Sequence, residues 1–107
     1  MGNDLHITRK DNWSDEDGPI ITLDEWMAYV VGDVEIQDDN ENGPEDFVYV
    51  AHPNGPVPLW WGKDGEIYSK NPDKFTVKKL LEIADHFSAA VQGDDGEEYT
   101  DWTTFDE

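Results

Sequence analysis

The sequence predicts an α+β domain, with a mainly antiparallel sheet and two helices packed on one face of it. Two observations favour this class. The predicted elements follow the order β–α–(β)–β–β–β–α–β–β, in which helices are few and most neighbouring strands are joined as hairpins. A hairpin over 60–69 is also followed at once by an amphipathic helix, so a short link folds that helix back onto its own hairpin. With 107 residues and no cysteine, the chain fits a single domain over 1–107, without disulfides.

The first predicted elements are a strand and a capped helix. Alternating apolar residues indicate a strand over 5–9. Thr22 and Glu25 have the spacing of a capping box, in which each side chain bonds the backbone of the other residue. They predict a helix over 23–31, which Gly32 would end.

The middle of the chain is less regular. The run 34–36 is too short to assign, and 37–46 is predicted to be a polar loop. The apolar run 47–51 predicts a strand near the centre of the sheet. Pro58 and the proline two residues before it place 57–59 at a sheet edge or in an irregular entry.

The predicted second helix begins with Asn71 as its cap and Pro72 at its first helical position. We expect Lys74, Lys78 and Lys79 to lie away from its buried face. The spacing of the apolar residues predicts a buried face made of Val77, Leu80, Leu81, Ala84 and Phe87. A strand over 89–92, a turn over 93–96 and a short run to Tyr99 follow, and 100–107 is a possible tail.

Trp60 and Trp61 are adjacent in a predicted strand, so their side chains must point to opposite faces. We expect one of them to share the helix-covered face with Ile67. The other would be covered by the second helix or the tail, or stay exposed as an anchor for a partner.

Charge is the strongest global feature of the sequence, because 26 acids against 7 lysines and arginines give a net charge of −19. The stretch 11–62 contains thirteen acids and no lysine or arginine, and 80–107 contains nine acids and again neither base. Such a field repels nucleic acid and anionic membranes and speeds association with a basic protein. Solubility alone is the plainer explanation. No signal-peptide core or long apolar run is present, so we expect a cytoplasmic protein.

The residue types of catalysis do not form a recognisable motif. His6, His52 and His86 lack metal-ligand spacing, and no serine lies in a nucleophile elbow. Carboxylates are so abundant that a chance pair at hydrolytic distance is expected. We therefore predict no enzyme activity and no cofactor.

A partial calcium motif covers 38–43, where Asp, Asn, Asn and Gly occupy the first positions of an EF-hand loop. The twelfth position is Tyr49, where a bidentate Glu is required, and a strand follows instead of a helix. An acidic turn is the simpler interpretation, and we predict no metal site.

Four stretches resemble a group of small acidic bacterial proteins: 4–9, 21–26, 70–73 and 91–97. These are similar to immunity proteins of polymorphic or contact-dependent toxin systems. The resemblance spans about 4–99 and implies a cytoplasmic inhibitor that binds a cognate toxin, often a basic nuclease. It supplies no binding residues. It does not cover the loop 37–46, which could set partner specificity or be a neutral insertion.

The primary hypothesis is therefore an immunity protein that blocks a basic toxin by steric and electrostatic occlusion. An alternative is a nucleic-acid mimic, whose carboxylates would stand in for phosphates in ordered rows. The residues predicted to bind the partner are Asp38, Asp39, Glu41, Glu45 and Asp46, with Trp60 or Trp61 as anchor.

Overall fold

The computed structural model describes residues 4–39, 42–43, 46–70 and 72–101. The element order in this part of the chain is the predicted one. The strands are β1 (Leu5–Thr8), β2 (Ile36–Asp38), β3 (Asp46–Tyr49), β4 (Val57–Gly62), β5 (Glu66–Ser69), β6 (Ala90–Gly93) and β7 (Glu98–Tyr99). The helices are α1 (Leu23–Val31) and α2 (Lys74–Phe87).

All seven described strands form one sheet in the order β2-β3-β4-β5-β1-β6-β7, and every pair is antiparallel. The N-terminal strand β1 lies inside the sheet, between β5 and β6. It therefore joins the β4–β5 hairpin to the β6–β7 hairpin, which come from distant parts of the chain. These strands and the two helices confirm the predicted α+β class.

Helix α1 has the predicted bounds. Thr22 accepts a hydrogen bond from the Glu25 amide, and the Glu25 carboxylate accepts one from the Thr22 amide in return, which completes the capping box. Gly32 follows as the C-cap.

Both helices contribute to one core on the same face of the sheet. Leu80, Ala84 and Phe87 are buried there together with Ile67, as predicted. Leu81 is only half-buried. Trp61 packs against this core, and its indole Nε1 donates to the Ile21 carbonyl at 3.0 Å.

The predicted loop 37–46 is shorter than expected, because β2 includes its first two residues and β3 begins at Asp46. The position of β3 is also a correction: it is second from the sheet edge rather than central. At Val57–Leu59, β4 pairs with β3 alone, since its pairing with β5 begins at Trp60. Pro58 thus lies in a regular strand, but at a stretch with one free side, which tolerates a residue that cannot donate a hydrogen bond.

Two predictions for α2 are wrong. Its N-cap is Asp73, whose carboxylate accepts from the Thr76 amide at 3.0 Å, so Pro72 precedes the helix instead of opening it. Lys79 does not face solvent and is only 4% exposed. Asn71 lies outside the described residues, as do residues 102–107 of the predicted tail.

Candidate functional site

The sheet face opposite the helices, called the open face below, carries polar and aromatic side chains. Cross-strand pairing fixes which residues share it, because paired residues of antiparallel strands point to the same side. Trp60 of β4 pairs with Tyr68 of β5, which pairs with His6 of β1, which pairs with Gln92 of β6. The open face is therefore defined by a line of residues across four adjacent strands.

An aromatic row runs along this line. The Trp60 and Tyr68 rings stack with centroids 5.4 Å apart, and the His6 and Tyr68 centroids are 6.5 Å apart. Trp13, from the loop after β1, stacks on His6 at 3.9 Å with the two rings 2° from parallel. The outward-facing tryptophan is Trp60, and the prediction that α2 covers it is wrong. Helix α2 packs on the other face of the sheet, and Tyr68 covers the Trp60 ring instead. Trp60 stays half-exposed.

Three of the predicted partner-binding residues meet at the β3–β4 end of the row. Asp39, Asp46 and Trp60 line one surface cavity of about 310 Å³, together with Asn42, Phe47 and Pro58. Asp46 is the cross-strand partner of Trp60, which places the carboxylate and the indole side by side. We call this cavity the acidic–aromatic cavity. It combines two anionic oxygen acceptors with an aromatic face, which is chemistry suited to a cationic side chain.

The other predicted partner-binding residues lie elsewhere. Asp38 is exposed at the end of β2 and is not among the residues lining the cavity. Trp61 points to the helix-covered face, and its indole N–H is already bonded. Glu41 and Glu45 lie outside the described residues.

His6 is a functional candidate that the sequence did not reveal. Its side chain is held between two carboxylates: Nδ1 lies 3.0 Å from Glu66 Oε2, and Nε2 lies 3.0 Å from Asp94 Oδ1. Burial lowers the pKa of His6, but the hydrogen bonds and charges of Glu66 and Asp94 outweigh it, so the pKa is raised above the ordinary value. Glu66 and Asp94 are 60 and 88 residues away in sequence, and no local spacing predicts such a contact.

The loop after β1 is fastened to the open face beside His6. The Gln92 side chain accepts from the Trp13 amide at 2.8 Å and donates to the Asp11 carbonyl at 2.8 Å. The Trp13 indole donates to the Asp94 carbonyl at 3.2 Å. The stacked Trp13 ring thus shields the imidazole, and His6 is 5% exposed.

A second charged cluster lies on the helix side. Lys79 Nζ donates to Asp33 Oδ2 and Glu35 Oε1, both at 2.7 Å. Burial lowers the pKa of Lys79, and these two bonds raise it by more, so the ammonium is firmly protonated. Asp33 also accepts from the Tyr29 hydroxyl. The side chains of Lys79, Asp33, Glu35 and Tyr29 thus bond one another, which indicates a structural role.

His52 is paired within the chain, and so is the arginine that lines a further cavity. His52 Nε2 lies 2.7 Å from Asp73, the N-cap of α2, and its Nδ1 accepts from the Asn54 amide. A cavity of about 560 Å³ beside α1 is lined in part by Arg9, Glu25 and His86. Arg9 forms an ion pair with Glu25 at 2.8 Å, and this partner and the Thr22 amide lower the pKa of Glu25 to about 2.

Among the residues that the structure describes, no cluster of three or more histidines and carboxylates has the arrangement of a metal site. Within the same ranges, neither helix is both long and apolar enough to cross a bilayer. Comparison with protein-family models, with curated proteins and with solved structures gives no match.

Proposed function

We propose that this chain acts by binding, without a cofactor, and that its open face recognises a basic protein. The proposed partner is a bacterial toxin domain that the chain neutralises in the cytoplasm, as immunity proteins do. The observation that supports this best is the acidic–aromatic cavity, where Asp39, Asp46 and Trp60 come together.

The chemistry of this cavity favours an arginine or lysine from the partner. Carboxylates accept charge-assisted hydrogen bonds from such a side chain, and an indole face attracts a cation within about 6 Å. The chain already contains one such contact, because Lys70 Nζ lies 5.5 Å from the centre of the Trp60 ring. A partner cation would add a second one from the cavity side.

Acidic residues on other parts of the surface supply long-range attraction. The loop after β1 exposes Asp11, Asp15, Glu16 and Asp17, and the net charge of the chain is −19. Such a field raises the rate of encounter with a basic protein, and the raised rate falls with added salt. Once docked, this chain would block the active site of the partner by its bulk.

The test is co-expression of the chain with the product of each gene adjacent to its own in the native host. Protection of growth and co-purification with one of these products are the expected results. If the chain neither binds nor protects against any of them, the immunity function is wrong.

Variants distinguish the cavity from general charge. Asp39→Asn with Asp46→Asn removes two charges at the cavity, and Glu16→Gln with Asp17→Asn removes two from the exposed loop. Both pairs should slow association, because they reduce the same field. Only the first pair, and Trp60→Ala, should speed dissociation of the captured partner. Equal dissociation rates for the two pairs would place the contact elsewhere.

The nucleic-acid-mimic alternative has less support. It needs carboxylates in ordered rows on rigid elements, whereas more of the described carboxylates lie in loops and turns than in helices and strands.

A further inference from the structure

We propose that His6 is a proton-dependent latch that holds the loop 11–18 and the turn 93–96 against the open face. The latch consists of His6, Glu66, Asp94 and Trp13. It is closed when the imidazole carries both ring protons and opens on the Asp94 side when one is lost. This inference does not depend on the proposed partner.

The geometry requires both protons. Ionised carboxylates accept hydrogen bonds and cannot donate them, and both ring nitrogens of His6 lie 3.0 Å from a carboxylate oxygen. A neutral imidazole donates from one nitrogen only, so it can keep one of these two bonds and leaves two lone pairs facing each other at the second.

The groups around the ring define what it responds to. Glu66 and Tyr68 face it from β5, and Asp94 faces it from the turn after β6. The uncharged Trp13 and Gln92 complete its surroundings from the loop and from β6. The two carboxylates favour the imidazolium and none of these five neighbours is a cation, so the closed latch is favoured while the imidazole is protonated and both carboxylates are ionised.

Exposure decides which bond is lost. The Glu66 side chain is 10% exposed and the Asp94 side chain 47%. A buried carboxylate without its donor is costly, whereas Asp94 can turn into water. The Nδ1–H bond to Glu66 should therefore persist, and Asp94 should leave.

The loss of Asp94 releases more than one contact. Trp13 stacks on the same imidazole and donates to the Asp94 carbonyl, so the turn and the loop are both held through His6. When this contact opens, the loop is left with its bonds to the Gln92 side chain and to Lys10 Nζ, so the segment around Trp13 opens more readily.

The direction of the pH effect follows from the raised pKa of His6. The latch contributes fully below the ordinary histidine pKa of about 6.5 and weakens as pH rises through the higher pKa of the folded state. For each pH unit by which the His6 pKa of the closed latch exceeds that of the open latch, loss of the proton lowers the ratio of closed to open latch about tenfold.

The experiment follows ring ¹⁵N shifts and amide hydrogen exchange by NMR between pH 5.5 and 9.5. His6 should lose its Nε2 proton and retain Nδ1–H. As it does so, the Trp13 amide, which donates to Gln92, should lose protection beyond the intrinsic rise of exchange with pH. Retention of the Nε2 proton, or unchanged Trp13 protection while His6 titrates, would overturn the proposal.

Three variants sharpen the test. Asp94→Asn should keep the latch closed over the whole range, because its amide can donate to the unprotonated Nε2 and its carbonyl can accept from the imidazolium. Asp95→Asn removes the same charge from the same turn and should behave as the parent. His6→Gln should leave the Trp13 amide weakly protected at every pH. If His6→Gln fails to fold, the two asparagine variants decide alone, and identical pH profiles for them would refute the latch.

Discussion

Lys79 illustrates how a single residue can depart from the pattern of its helix. It lies three residues after Thr76 and four before Ile83, both of which are buried, so the helix turns its stem towards the sheet side. Its ammonium then reaches Asp33 and Glu35, which follow α1. The long apolar stem of lysine makes this possible, because the stem packs at the edge of the core while the ammonium bonds the two carboxylates.

We predict that Lys79→Met destabilises the protein by about 3 kcal/mol, at the low end of the range for removing one partner of a buried ion pair. The Asp33 side chain is 13% exposed and would lose its cation, whereas Glu35, at 43%, can reach water. Urea unfolding measures the difference. Lys78→Met, on the exposed neighbour, should cost less than about 1 kcal/mol. A Lys79→Met protein as stable as its parent would mean that apolar packing replaces the pair.

Sequence reasoning predicted some residues well and missed others for one physical reason. The opposite orientation of Trp60 and Trp61 follows from strand geometry alone, and the structure confirms it. The environments of Lys79 and His6 depend on carboxylates 44 or more residues away. Nothing in the local spacing encodes such partners, because only the packing of the folded chain brings them together.

At the scale of elements, capping residues predicted the ends of α1 better than apolar runs predicted the ends of the strands. The capping box and Gly32 fix both ends of α1. At α2 the predicted cap was Asn71, whereas the structure shows Asp73 as the cap, whose carboxylate also lies 2.7 Å from His52 Nε2. The short strand β2 has only three residues, and its pairing with β3 defines it rather than its own composition.

The packing of α2 on the sheet gives the clearest prediction at this scale. Leu80 is fully buried in the core, so Leu80→Ala should cost about 2–5 kcal/mol. That is a large share of a stability of about 5–15 kcal/mol. Leu81→Ala, at the half-buried neighbour, makes the matched control and should cost distinctly less in thermal and urea unfolding. Equal costs would show that the helix is rotated relative to the structure described here.

The β4–β5 turn gives a second prediction. Gly65 has φ +85°, and a Cβ added there would lie 2.2 Å from Ile20 Cβ, because the chain before α1 crosses the turn. Gly55 has φ +115° with nothing within 4 Å. Both alanine variants should be strained, but Gly65→Ala should cost about 1–3 kcal/mol more, the typical cost of overpacking. Calorimetry of the two variants separates the clash from the backbone strain.

For the whole molecule, the strand order creates the candidate site. The β2–β3–β4 corner brings Asp39, Asp46 and Trp60 together, and these three were predicted from charge and residue type. The cavity itself and the aromatic row could not be predicted, since both depend on register between strands. The proposed class of partner rests on charge patterning, and the proposed contact surface rests on the fold.

Net charge should also govern the stability of the whole molecule. A chain with 26 acids and a net charge of −19 repels itself in the compact state, and salt screens that repulsion. We predict that raising NaCl from about 20 to 500 mM at pH 7.5 raises the melting temperature, since the Debye length falls several-fold over this range. At pH 4.5, close to the pI of about 4.1, the net charge is much smaller and the same salt step should have a smaller effect. Differential scanning calorimetry at both pH values measures the contrast. An equal salt effect at the two pH values would mean that ion-specific stabilisation, not relief of self-repulsion, is responsible.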